Sequence, residues 1–144
     1  MKTRKYGWVD KTADYRAWRY TWDHGGVHDV DQIEWFLDEP VAVLELTQST
    51  DTIDDRLENS VRQRLWNQFS GVRLRRVAHA LGVPFIVVIY RKDLQEYSIC
   101  ILDSPDAPFV RLERSQYRYW LSRLRPSSPL PSFREALTAT TSTP

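Results

Sequence analysis

The run Phe85-Ile86-Val87-Val88-Ile89-Tyr90 is apolar throughout and follows directly on Gly82-Val83-Pro84, a combination that stops a helix. A strand with one wet face alternates apolar and polar residues, whereas a continuous apolar run must be covered on both faces. A chain with such a strand at its centre needs helices packed on a sheet. The expected fold class is therefore α/β, with a mixed central sheet flanked by helices.

The rest of the chain supplies the other elements. Ala13 to Trp22 spaces Tyr15, Trp18 and Trp22 by three and four, a short amphipathic helix ended by Gly25-Gly26. Val27–Phe36 alternates, with Asp29, Asp31, Ile33 and Trp35 on one face, and Leu37-Asp38-Glu39-Pro40 reads as a turn. Val41–Thr47 puts Val41, Val43, Glu45 and Thr47 on one face and Ala42, Leu44 and Leu46 on the other. Two strands joined this tightly form an antiparallel hairpin.

Arg56 to Leu81 is helical in pattern, with Val61, Leu65, Phe69 and Val72 in one stripe and Leu74, Val77, Ala78 and Leu81 in the next. The stripe changes face near Gly71, which predicts two helices or a kink there. Strands follow at Phe85–Tyr90, Glu96–Leu102 and Phe109–Leu112, then a helix over Ser115–Arg125 with Tyr117, Trp120, Leu121 and Leu124 inward. The order is α-β-β-α-β-β-(β)-α. Residues 1–125 are expected to form one domain. Residues 126–144, rich in Pro, Ser and Thr, read as a disordered tail in which Ser132 could cap one short turn carrying Leu130, Phe133 and Leu137.

Charge and cysteine content exclude several classes. Lys plus Arg number 20 against 19 Asp plus Glu, so the chain is not a globally basic nucleic-acid binder, though a local basic patch is compatible. One cysteine, Cys100, excludes a disulfide scaffold and a cysteine-based zinc site. No apolar run is long enough to span a bilayer, and MKTRKYGWVD lacks the apolar core of a signal peptide. The expectation is a cytoplasmic protein without a membrane partner.

The chemistry-bearing residues sit on the hairpin. Glu45 lies among apolar neighbours in VAVLELT, and a carboxylate in a buried strand needs a partner. An arginine is one partner. A divalent cation shared with Asp31 on the adjacent strand is another, because it relieves the repulsion between two carboxylates. Arg62, Arg64, Arg73, Arg75 and Arg76 lie in a stretch from Val61 to Leu81 that has no acid, which suits either phosphate contact or a solvated helix face. His24 and His28 read as loop polarity, and Cys100 as a small buried residue.

Taken together, DVDQIEW and PVAVLELT resemble the PD-(D/E)XK nuclease superfamily, the restriction-endonuclease-like proteins. The resemblance covers roughly Tyr15 to Tyr90 and rests on chain order more than on the short motif. It implies a metal-dependent DNA endonuclease that hydrolyses phosphodiester bonds with Mg²⁺ or Mn²⁺. Asp31 would be the first metal ligand, with Asp29 a rival, and Glu45 the second. Thr47 stands where the family carries lysine, so a catalytic cation would have to come from elsewhere. Arg73 and Arg76, which share a face, are the candidates for that cation, with Gln63 or Gln68 also within approach, and the same two arginines are the candidates for nucleic-acid contact. The alternatives are a non-catalytic module that kept the nuclease fold and binds nucleic acid or protein, and an assembly component. A homodimer is compatible with each.

Overall fold

The computed structural model describes residues 30–138. The helix expected over Ala13–Trp22, the start of the first strand, Asp29, His24 and His28 lie outside the described residues. The described elements are β1 (Gln32–Phe36), β2 (Glu39–Ser49), α1 (Asp55–Asn67), α2 (Phe69–Leu81), β3 (Phe85–Arg91), β4 (Glu96–Ile101), β5 (Phe109–Glu113), α3 (Arg114–Ser122) and α4 (Phe133–Thr138). The strands form one mixed sheet in the order β1-β2-β3-β4-β5. Among the described strands only the β2–β3 pair is parallel, and α1 and α2 make the crossover that a parallel pair requires.

The apolar run Phe85–Ile89 occupies the central strand and is buried throughout. Its two faces belong to different cores. Val87 and Ile89 join Val43, Val61, Leu65, Leu74 and Ala78 beneath α1 and α2. Ile86 and Val88 join Leu44, Ile99, Leu112, Trp120 and Ala136 beneath α3 and α4. The sheet is thus a middle layer between two layers of helix.

The helix break falls earlier than the sequence predicts. Gln68 takes an extended conformation between α1 and α2, while Gly71 lies inside α2 and is buried. A Cβ at Gly71 would overlap the backbone of Leu65, so glycine serves here to let the two helices touch. The predicted stripe is corrected with it: Phe69 is 77% exposed, and Val77 and Leu81 also face solvent. Asp54 caps α1 by accepting from the Leu57 N–H at 2.9 Å. Gly82 ends α2 in the left-handed region (φ 72°), where its N–H reaches the carbonyls of Ala78 and His79.

The Pro/Ser/Thr-rich stretch expected as a disordered tail is laid on the domain as far as Thr138. Phe133 stacks on Trp120 with ring centroids 4.8 Å apart, and the Trp120 Nε1–H donates to the Pro131 carbonyl at 2.9 Å. Ala136 rather than Leu137 is the buried residue of α4.

A buried carboxylate ties α1 to β4 and β5. Glu58 is 7% exposed and accepts from the Arg111 guanidinium through both oxygens, each at 3.1 Å, and from the Ser98 hydroxyl. Arg111 also donates to Asp55 at 2.7 Å. Removing one partner leaves the other charge poorly solvated, which costs about 3–5 kcal/mol in a fully buried pair. Arg111 is 44% exposed along its side chain, so Glu58→Ala is expected to cost about 2–4 kcal/mol. Urea unfolding would show a lower midpoint at an unchanged slope. A midpoint equal to that of the parent chain would mean the network holds nothing together.

Candidate functional site

Hairpin register decides where Asp31 lies. Gln32 is the last residue of β1 to pair, with Leu44, so the ladder ends before it reaches Leu46. The Asp31 carboxylate stands in for the missing ladder carbonyl and accepts from the Leu46 N–H at 2.9 Å (Oδ2). This anchor holds the side chain against β2, close enough to act on the Glu45 carboxyl.

Glu45 points to the α1/α2 side of the sheet, because it alternates in step with Val43 on β2. Burial is the main cause that raises its carboxyl, to about 7, and the Asp31 charge and hydrogen bond raise it further. The Arg64 guanidinium acts in the opposite direction. Two carboxylates this close repel each other, and a proton or a cation relieves that repulsion.

Thr47 lies two residues further along the same face of β2, half-buried and paired with Ile89. It contributes a neutral hydroxyl. Arg73 and Arg76 are exposed on α2, with the Arg73 guanidinium 5.7 Å from the Phe69 ring. Arg76 lines a groove with Arg75, His79, Phe85 and Asp103 that also takes in Trp66 of α1. A cation that acts on Glu45 is Arg64 of α1. Nothing in the sequence separates Arg64 from its neighbours, because the choice depends on which flank of α1 meets β2.

Arg64 also belongs to an open groove along α1, lined by Arg56, Asn59, Ser60, Gln63 and Asn67. Cys100 is inert by comparison. It is fully buried, its Sγ–H reaches the Ala107 carbonyl, and burial pushes its thiol up to about 12.

As a metal site the donors are hard oxygens, two carboxylates with a hydroxyl nearby, which is the chemistry Mg²⁺ and Mn²⁺ prefer. Among the described residues no group of three or more His, Cys, Asp or Glu side chains is gathered for a metal. A pair of carboxylates is nonetheless what Mg²⁺ commonly takes from a protein, with water and substrate phosphate completing the shell. Among the described residues no helix is long and apolar enough to cross a membrane. Comparison with family models, with curated proteins and with solved structures gives no match to this chain.

Proposed function

We propose that the chain is a metal-dependent DNA endonuclease of the PD-(D/E)XK type with a restriction-endonuclease-like arrangement. The observation that carries this reading is the approach of two carboxyls: Asp31, just before β1 and anchored on the Leu46 N–H, acts on Glu45 of β2. The order of a hairpin, a helical crossover and a parallel apolar strand supports the same reading.

Asp31 and Glu45 would hold the cation. When bound, it would polarise a phosphoryl oxygen and make a coordinated water acidic enough to attack. Asp31 is positioned by the Leu46 N–H, and Glu45 by the β2–β3 ladder. The Thr47 hydroxyl can hydrogen-bond a water or a phosphate oxygen, but it brings no positive charge.

The test is incubation of the full chain with supercoiled plasmid and with single-stranded DNA, in Mn²⁺, in Mg²⁺ and in EDTA. Metal-dependent cleavage is expected, and Asp31→Ala and Glu45→Ala should each reduce it by about 10²-fold or more, the scale of losing one charge-stabilising group. No cleavage with either metal, and no rise in melting temperature on adding Mn²⁺, would end this reading. Thr47 itself favours a second reading, a module that kept the site and lost turnover. Cleavage that appears only in Thr47→Lys would select it.

A further inference from the structure

We infer that the polar face of α1 is the track on which a nucleic-acid strand lies, with Arg64 holding the phosphate next to the Asp31–Glu45 pair and Arg56 holding one further along. This inference rests on the nuclease reading for what happens at the carboxylates, but the binding it describes needs no chemistry.

Three observations converge. First, Arg56, Asn59, Ser60, Gln63, Arg64 and Asn67 recur at steps of three and four, so they form one helix face, and together they line the open groove. That face carries no acid. The acids of the helix, Asp55 and Glu58, are taken up by Arg111. Second, the face offers two cations and several amide or hydroxyl groups, the donor set that grips phosphate and sugar without reading sequence. Third, Arg64 belongs both to this groove and to the electrostatic surroundings of Glu45, so one residue links the face to the carboxylates.

Charge balance explains why Arg64 is needed. A divalent cation on two carboxylates leaves no surplus positive charge, while a phosphodiester gains negative charge as water attacks it. A fixed guanidinium at that point stabilises what develops. The neutral Thr47 cannot do so. At a rise of about 1.5 Å per residue, Arg56 and Arg64 lie roughly 12 Å apart along the axis, a reach of about three to four nucleotides of one strand.

Fluorescence anisotropy of the full chain with labelled single-stranded and duplex DNA, in EDTA, reads the track without turnover. Arg64→Ala is expected to weaken binding by about tenfold, and each arginine removed should flatten the log-log salt dependence by about 0.7–0.9. Arg64→Lys should keep most of the binding, since a point charge still serves a phosphate. Arg118→Ala, on α3 across the sheet, is the control that should change nothing. In Mn²⁺, Arg64→Ala should lower kcat, whereas Arg56→Ala should raise KM alone. Wild-type affinity and salt slope in both Arg56→Ala and Arg64→Ala, or no oligonucleotide binding by the parent chain, would overturn the track. Cleavage that persists in that case leaves the carboxylate site standing. Arginine-dependent binding without any cleavage would support the track and sink the nuclease.

Discussion

Replacing Glu45 with glutamine is expected to stabilise the metal-free protein at pH 8 and to change little at pH 4. The Glu45 carboxyl is raised from 4.5 to about 7, first by burial and then by Asp31. Between those values the folded protein binds a proton that the unfolded chain has released, so stability falls as pH rises through the window. Above it, the folded state carries a charged Glu45 beside Asp31, with Arg64 as partial compensation. A fully desolvated group moved this far would cost about 3 kcal/mol, and partial exposure of Glu45 reduces that to about 1–2 kcal/mol. An amide at position 45 never charges.

Thermal melts in EDTA should therefore diverge with pH. Wild type should lose roughly 3–6 °C relative to Glu45→Gln between pH 4 and pH 8. Adding Mn²⁺ at pH 8 should reverse the order, because the cation supplies to the two carboxylates the compensation that the proton supplied at lower pH. The variant, left with one carboxylate, should respond weakly. Parallel curves at all pH values, with and without Mn²⁺, would mean that the two carboxyls are not coupled.

The site was readable in the sequence to the extent that strands are periodic. Alternation along VAVLELT places Glu45 in step with Val43, and the short turn brings Asp31 near it, so both are found without coordinates. Arg64 was not found this way. A helix surrounds its axis with side chains, and which flank meets β2 depends on how the crossover lies across the sheet. The Glu58–Arg111 bond is hidden for a similar reason, since its partners are far apart in the chain and nothing local marks either. Glycine misled differently. Gly71 looks like a breaker, but its missing Cβ serves contact with Leu65, and the break falls on the unremarkable Gln68.

Ending the chain at Arg125 is expected to destabilise the domain by about 2–4 kcal/mol, a drop of the order of 10 °C in Tm. Composition argues otherwise, because Pro, Ser and Thr dominate the removed segment. Yet that segment covers Trp120, which is fully buried, and supplies the Phe133 ring and the Pro131 carbonyl that its indole uses. Gln116 would also lose the Leu137 carbonyl. A tryptophan carries about 150–250 Å² of surface, so uncovering even part of it is a large loss. The prolines work in favour of the packed form: Pro126, Pro129 and Pro131 have fixed φ angles, so laying this stretch down costs less backbone entropy than an ordinary linker would. Phe133→Ala separates stacking from chain length and should retain about half the effect. If the truncated protein melts with the parent, Trp120 must find other cover, and the domain ends at Arg125 after all.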